Sequence, residues 1–304
     1  MTALSELAFR GFLNLNFRGI TTMKGQPNLL NSGYFIPPKP DILCEIQRLQ
    51  SAAEPDIMQL ANLIAQDVGL SAVVLKTINS PIYGLVRKIT DIKQSVMILG
   101  SNFISNLSTF HLLQQAIPQN VSISLEKFWE SSLYTAVLTG MYIKHLNLQR
   151  DMPVEDAYTA GLFLNCGIPV MALKYDNYHE ILASADNGYG RLFTDIEDAE
   201  FNANHAVVGY YVAKSWDLPD IICSTIQNHH DPVLLDSNAY SMKQKDLFAL
   251  LKLAENTANV ISFSHVHCEW EQIAHKVLHH FNIDEQELEE LQQDVMDQFF
   301  EVQN

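Results

Sequence analysis

The sequence predicts an all-α protein. Apolar residues recur at spacings of three and four through most of the chain, as in Ile57, Leu60 and Ile64. A sustained alternation of apolar and polar residues between turns, which would indicate strands, does not occur in the sequence. From these two observations we expect about 60–70% helix, against roughly a third in an average globular protein.

Start and stop signals divide the first half of the chain into short helices. The proline-rich segment 36–40 gives a stiff entry to the ordered body. Asp56, with a glutamine three residues later, resembles a capping box. Pro81 ends the helix before it, because proline disfavours helical geometry in the preceding residue. We assign residues 1–34 to an N-terminal extension and residues 35–117 to a first helical lobe.

Longer helices are expected in the second half. Residues 124–147 carry apolar side chains close to the helical period of about 3.6 residues, and one continuous helix is predicted over residues 197–216. We assign residues 118–283 to a second helical lobe and residues 284–304 to an acidic C-terminal helix.

The charge of the chain limits its partners. Its 304 residues hold 35 acidic and 19 basic side chains, which gives a formal net charge of −16. Nucleic-acid binding needs a basic surface, so neither DNA nor RNA is expected as a main ligand. With 47% apolar residues the chain can bury enough surface to fold, which argues against disorder.

The sequence predicts neither export nor a membrane span. The four cysteines stand far apart without a CxxC pair, as expected of reduced thiols rather than of a disulfide framework. Glu6 and Arg10 interrupt the apolar run at the N-terminus, which does not resemble a signal peptide. The uncharged stretch 94–125 is rich in amides and hydroxyls at its middle and is not predicted to cross a membrane. We expect a cytoplasmic protein.

Half of the excess negative charge is concentrated at the C-terminus. Residues 284–304 hold eight acidic residues and no lysine or arginine, yet their apolar residues keep a helical stripe. One interpretation is a terminal helix that packs on its own body and exposes an acidic face. The other is a docking helix for a basic partner. The eight acids are Asp284, Glu285, Glu287, Glu289, Glu290, Asp294, Asp297 and Glu301.

Histidines on separate predicted helices are the candidate site for chemistry. His205, the pair His229-His230 and Glu255 offer imidazoles and a carboxylate, and such groups hold divalent metals when they converge in a helical core. A metal-bound water at such a site can attack phosphate esters. The spacing alone is a weak signal, because a second pair, His279-His280, lies in an amphipathic helix. Histidines that only interact with helix ends are the alternative interpretation.

Several segments together resemble the HDOD family, the HD-related output domains of bacterial signalling proteins. The resemblance covers about residues 35–260, follows the order of the family's motifs, and is specific in aggregate. The matching segments are Ile36-Pro37-Pro38-Lys39-Pro40, Ile64–Leu70, Leu75–Gly84, Ile89–Gly100, Phe128-Trp129, Ala160–Phe163, Asn204–Gly209, Trp216–Pro219 and His229–Pro232.

The resemblance implies a two-lobed helical domain whose second lobe is HD-like and related to metal-dependent phosphohydrolases, usually without their activity. Catalytic relatives hold metal with an early histidine, an adjacent histidine-aspartate pair, further histidines and a late aspartate. In this chain Ser131 stands at the early histidine position, and Leu164 and Asn165 stand at the pair. Glu255 resembles the late aspartate.

These replacements predict a degenerate site. Leucine cannot bind a metal, and neutral asparagine is a poor substitute for a carboxylate that balances two cations. We therefore expect His205, His229, His230 and Glu255 to hold one divalent metal ion at most, with no catalytic residue and no required cofactor. The predicted function is a non-catalytic regulatory module that acts through contacts with other signalling proteins.

Two other classes of function stay open at this point. One is a residual metal-dependent phosphohydrolase that acts on a phosphate ester or a nucleotide. The other is a sensor that binds a small molecule between the lobes, for which the sequence offers no positive feature.

Overall fold

A computed structural model describes residues 33–186, 191–263 and 269–301 of the chain. This part is 70% helical, and no strand occurs within it. The all-α prediction is therefore confirmed. The described residues from Tyr34 onward form one compact unit, and the predicted lobe boundary after residue 117 stays a prediction. The predicted extension over residues 1–34 lies almost entirely outside the described residues.

Five helices make up the described first part of the chain. They are α1 (Asp41–Gln50), α2 (Ile57–Ala65), α3 (Val68–Ile78), α4 (Ile92–Leu99) and α5 (Ser101–Ala116), with a 3-10 turn at Pro81–Tyr83 after α3. Asp56, Asp67 and Asp91 cap α2, α3 and α4, each accepting a hydrogen bond from a backbone N–H three residues later. Aspartate side chains thus fix where these three helices begin.

The second part of the chain is organised around one long helix. The helices are α6 (Leu125–His145), α7 (Val154–Phe163), α8 (Ile168–Lys174), α9 (Tyr178–Asp186), α10 (Phe193–Phe201), α11 (His205–Ser215), α12 (Asp220–Asn228), α13 (Met242–Phe263), α14 (Trp270–Phe281) and α15 (Glu285–Glu301). Helix α6 packs against both α7 and α13. A Cβ added to Gly161 of α7 would lie 2.7 Å from the Cα of Ala136 of α6, so glycine permits this close packing.

The prediction of one helix over residues 197–216 is wrong. Asn202 adopts a left-handed φ of 54° and ends α10, and asparagine tolerates this conformation better than most residues. Asn204 then starts α11, because its side chain accepts a hydrogen bond from the N–H of Val207 at 3.0 Å. His205 is consequently the first residue of a new helix rather than a residue in the middle of one.

The proline-rich entry segment packs against the second part of the chain. The fully buried Trp216 donates from Nε1 to the carbonyl oxygen of Pro37 at 2.9 Å. Gln47 of α1 donates to the carbonyl oxygen of Trp216 at 2.9 Å, and Lys39 pairs with Asp217. These contacts tie the start of the ordered chain to the end of α11.

The acidic helix α15 packs on α6. Leu288, Val295 and Phe299 are buried, and the ring of Phe299 meets that of Tyr134 of α6 edge-on, with centroids 5.2 Å apart. The eight acidic residues of α15 and its N-terminal flank are all exposed. This arrangement agrees with the packing interpretation and leaves the acidic face available.

In the described ranges, no single helix is long and apolar enough to cross a membrane. Only two helix pairs reach the required length and hydropathy, and each is bent sharply between its members, by 115° and 111°.

Candidate metal centre

Three histidines converge in the second part of the chain. His205 begins α11, His229 follows the last residue of α12, and His230 comes next. Their side chains are buried, and His229 is 0% exposed. The Nε2 atom of His205 lies 3.3 Å from Nε2 of His229 and 3.0 Å from Nε2 of His230. Three of the four residues predicted as metal ligands are thus close enough to share one ion.

A close crossing of two helices positions His205. A Cβ added to Gly167, next to the start of α8, would lie only 2.0 Å from the carbonyl oxygen of His205. One added to Gly209 of α11 would lie 3.1 Å from the backbone nitrogen of Gly167. The two glycines allow α8 and α11 to touch through their backbones, and this contact sets the position of the first turn of α11.

Each imidazole is oriented by a partner on its Nδ1 atom. His205 Nδ1 lies 2.6 Å from a carboxylate oxygen of Glu197, and His230 Nδ1 lies 2.7 and 2.8 Å from the two carboxylate oxygens of Glu269. His229 Nδ1 lies 2.7 Å from the carbonyl oxygen of Ile226. Because all these partners are acceptors, the hydrogen-bond network assigns the ring proton to Nδ1 and leaves the lone pair on Nε2 in each neutral imidazole.

The separations of the Nε2 atoms suit a single metal ion. Two imidazoles bound at about 2.1 Å, with their nitrogens 3.0 or 3.3 Å apart, subtend about 90° or about 105° at the metal. Three lone pairs cannot face one another at such distances without a cation or a proton between them. Carboxylates or carbonyls on the opposite ring nitrogen are also the usual support of metal-binding histidines.

Burial favours the neutral, metal-binding form of His229 and His230. Burial lowers the pKa of His229 well below its ordinary value, and the charges of His230 and Lys252 act in the same direction. Burial also lowers the pKa of His230, although the neighbouring carboxylate of Glu269 opposes it. Protonation of these two rings is therefore unfavourable, and a metal ion is the cation that suits their lone pairs.

Asn165 faces this cluster from the turn before α8. Its Oδ1 atom lies 3.1 Å from Nε2 of His229, and its Nδ2 donates to Glu255 Oε1 at 3.2 Å. The donation to Glu255 fixes the amide so that its oxygen points at the histidines. Asn165 thereby offers a neutral oxygen as a fourth ligand, while the preceding Leu164 is 1% exposed and packs in the core.

A buried lysine holds the nearby carboxylates. Lys252 of α13 lies 3.0 Å from Glu255 and 3.3 Å from Glu269, and all three side chains are buried. These two carboxylates raise the pKa of Lys252 against the opposing effect of burial, so the ammonium stays charged. Glu255, the fourth predicted ligand, lies outside the three-histidine group and bonds to Asn165 and Lys252 instead.

A cavity of about 470 Å³ opens beside the cluster. His230, Asn165 and Glu255 line it, together with Ser131, which the resemblance in the sequence predicts at the early histidine position of catalytic relatives. Four further residues with hydroxyl groups line it, from α6 and from the segment before it: Ser122, Ser124, Ser132 and Thr135. The cavity is large enough for a small molecule.

Sequence reasoning missed the residues that support the histidines. Glu197 and Glu269 hold two imidazoles, and Tyr178 in turn donates to Glu197. Of these residues, Lys252 could have been recognised from the sequence. It interrupts an apolar run of α13, and a lysine that the helix must bury needs carboxylate partners. The two glutamates come from separate helical segments, and only the fold brings them to the histidines.

The chain is similar to known proteins in sequence and in structure. The HDOD domain profile matches residues 36–232. A protein of Treponema pallidum (strain Nichols), described as uncharacterized, is 28% identical over 200 residues, or 64% of this chain. The chain spans only 38% of the length of that relative.

Two crystal structures share the fold. An HDOD domain protein of unknown function from Geobacter sulfurreducens is 22% identical, with a TM-score of 0.63 over 90% of this chain and 95% of that chain. A protein from Shewanella amazonensis SB2B, provisionally described as a metal-dependent phosphohydrolase, is 16% identical. Its TM-score is 0.62 over 89% of this chain and 95% of that chain.

The fold and the site define a compact helical domain that carries a buried cluster of metal-binding type. Because the family profile covers more than half of the sequence, the chain belongs to the HDOD family. The resemblance seen in the sequence is therefore confirmed.

Proposed function

We propose that this chain is a non-catalytic regulatory HDOD module that acts through contacts with other signalling proteins. We further propose that His205, His229 and His230 hold one divalent metal ion as part of the fold. The observation that carries the non-catalytic role and the single ion is the pairing of the buried Lys252 with Glu255 and Glu269. A protein cation occupies the carboxylates that a second metal ion would need. The match to the HDOD family supports the regulatory role.

The charges of the cluster favour one ion rather than two. Glu197, Glu255 and Glu269 oppose the single ammonium of Lys252. With these groups ionised, one divalent cation balances the cluster, whereas a second would leave uncompensated positive charge in a buried site. A two-metal centre is the arrangement that clamps the attacking and leaving oxygens of a phosphate ester, so its loss favours a structural role.

The donor set also limits which metal is expected. Three imidazole nitrogens and an amide oxygen suit Zn²⁺ and the later first-row divalent ions better than Mg²⁺ or Ca²⁺, which prefer charged oxygen ligands. Such a bound metal would supply cross-linking of α11 and α12 at the point where His205 and His229 meet.

Activity measurements test the non-catalytic part of the proposal. The full chain, reconstituted with Mn²⁺, is incubated with p-nitrophenyl phosphate, cyclic dinucleotides and guanosine tetraphosphate. We expect no hydrolysis above that of the His205→Ala variant. Hydrolysis that is lost in His205→Ala but kept in His279→Ala, an exposed histidine of α14, would overturn it.

Metal analysis tests the single-ion part separately. After reconstitution with Zn²⁺ and gel filtration, we expect close to one equivalent of metal in the wild-type chain and in His279→Ala. The His205→Ala variant should retain little. A wild-type chain without bound metal would refute the single ion but leave the non-catalytic role standing, and two equivalents would argue against both.

A residual metal-dependent phosphohydrolase is the second candidate function. The cavity favours it, because a substrate placed there would contact His230, Asn165 and Ser131 next to the histidine cluster. The same activity measurement decides between the two candidates.

A further inference from the structure

A basic and apolar tip projects from the first part of the chain. We call residues Leu85–Lys88 the tip. Val86 is 100% exposed and Leu85 is 42% exposed, and the next two residues, Arg87 and Lys88, are also exposed. Within the described residues neither Arg87 nor Lys88 forms an ion pair. The tip thus presents two cations without a described ion-pair partner beside an exposed leucine-valine pair.

The tip is held in place from both sides. Asn79 closes the loop by donating to the carbonyl oxygen of Ile89 at 2.8 Å and accepting from the N–H of Ile89 at 2.8 Å. Gly84 turns the chain outward with a left-handed φ of 56°, a conformation that glycine adopts without strain. Lys144 of α6 donates to the carbonyl oxygen of Ile82. An anchored loop loses little conformational entropy when it binds a partner.

Helix α15 offers the complementary chemistry. Its acidic residues are exposed, and no ion pair engages them within the described part of the chain. Near its C-terminal end, Asp297 and Glu301 flank Phe300, whose side chain is 46% exposed. An apolar group bordered by carboxylates on α15 thus matches an apolar pair bordered by two cations on the tip.

The two surfaces lie at the same end of α6. Lys144 contacts the turn that leads into the tip, and the adjacent His145 lies 3.1 Å from Gln298 of α15 through its Nε2 atom. When two complementary surfaces share one end of a molecule, a two-fold axis at that end can bring each tip to the other chain's α15. Such an arrangement is closed and makes both contacts at once.

We propose that two copies of this chain form a reciprocal dimer in which the tip of each copy docks on α15 of the other. Arg87 and Lys88 would face Asp297 and Glu301, with Val86 against Phe300. The net charge of −16 opposes association, but at physiological ionic strength charges beyond about 8 Å are screened and the contacts at the interface dominate. This inference goes beyond the proposed function and does not depend on it.

Charge reversal on each side tests the dimer. One variant carries Arg87→Glu and Lys88→Glu, and the other carries Asp297→Lys and Glu301→Lys. In sedimentation velocity runs on the full chain over a broad micromolar range, we expect the wild type to dimerise. Each variant alone should dimerise at least tenfold more weakly, because both of its contacts become repulsive.

Mixing the two variants is the decisive measurement. In the mixed dimer the reversed tip meets the reversed helix, and the native tip meets the native helix, so both contacts are attractive again. We expect the mixture to dimerise as the wild type does. Circular dichroism verifies the fold of each variant.

A matched control separates the interface from net charge. Lys127→Glu with Arg191→Glu changes the net charge as much as the tip variant does. Lys127 lies in the first turn of α6, about 26 Å along the helix from Lys144. This control should dimerise like the wild type. A monomeric wild type, an unrestored mixture, or equal weakening by the control would each overturn the proposal.

Discussion

Two sides of the candidate metal centre differ in how they hold charge. On the side of α11 and α12, His205, His229 and His230 keep lone pairs directed at a common point, each with an acceptor on its other nitrogen. On the side of α7 and α13, Leu164 and Asn165 offer no charge, and Lys252 occupies the carboxylates. The first side suits the metal ion that we propose, and the second already contains a protein cation.

On our proposal, the difference explains how a site of this architecture can hold one metal ion rather than two. A buried carboxylate needs a positive partner, whether metal or ammonium. Lys252 meets this need for Glu255 and Glu269, and Glu269 in turn continues to orient His230. The lysine thus stabilises the carboxylates on the side of α7 and α13 and, through Glu269, supports His230 on the other side.

The largest effect is expected from removing this lysine. Lys252→Met keeps the volume but leaves Glu255 and Glu269 buried without their cation, which should cost about 3–5 kcal/mol of unfolding free energy. Urea denaturation at neutral pH measures it. The matched variant Lys243→Met removes a half-exposed pair with Asp156 and should cost less than about 1 kcal/mol.

The same variant tests whether the ammonium of Lys252 takes the place of a second metal ion. If a divalent cation replaces the missing ammonium, Lys252→Met should gain stability on addition of Mn²⁺, and metal analysis should show a second equivalent. A Lys252→Met chain as stable as Lys243→Met would contradict the role assigned to the buried ammonium.

The next effect concerns the support of His205. Glu197→Gln keeps the shape of the side chain but removes the charge that holds the Nδ1 proton, so the affinity for Zn²⁺ should fall about 10–100-fold. Competition with a chelating dye measures the affinity. Glu200→Gln, an exposed change on the same helix α10, should leave it unchanged. Equal affinity in both variants would show that Glu197 does not act through the metal site.

The features that could be predicted from the sequence depend on interactions between neighbours in the chain, and those that could not depend on interactions between distant segments. Helix ends depend on neighbours in the chain, so the cap at Asp56 and the stop before Pro81 were predictable. The break at Asn202 was missed, because the apolar residues on its two sides continue a single helical period. The histidines were found by residue type, whereas Glu197 and Glu269 reach them only through packing between distant segments.

A smaller effect should follow when Asn165 becomes charged. Asn165→Asp gives the cluster an anionic ligand in place of a neutral oxygen and should tighten Zn²⁺ binding by about tenfold, or about 1.4 kcal/mol. Without metal the new carboxylate would face Glu255, whose Oε1 lies 3.2 Å from the present amide nitrogen. The metal-free variant should therefore be less stable than the wild type, as thermal unfolding with and without chelator would measure.

The control for this change is Asn177→Asp, an exposed position, which should alter neither metal affinity nor stability. If Asn165→Asp behaves in the same way, the amide oxygen does not face the metal, and the two sides of the centre are less closely coupled than the distances imply.

The smallest effect is expected in the rate of cysteine modification, which reports on the crossing of α8 and α11. Cys166 follows Asn165, and its Sγ donates to the carbonyl oxygen of Gly209 of α11 at 3.6 Å. Burial raises the pKa of this thiol far above its ordinary value, and it raises that of Cys223 to about 11. At pH 8 a pKa of about 11 leaves roughly two hundredfold less thiolate than an ordinary cysteine has.

Iodoacetamide at pH 8, with peptide mapping by mass spectrometry, should therefore modify the exposed Cys44 first and Cys166 and Cys223 far more slowly. Because Cys166 lies at the crossing that positions His205, Zn²⁺ should slow its labelling further by suppressing local opening. Cys223 lies in α12, close enough for its charge to act on Cys166, and its labelling should be slowed as well. Labelling of Cys166 as fast as that of Cys44 would mean that α8 and α11 separate readily, and the histidines would then lack the rigid backbone contact on which a shared metal ion depends.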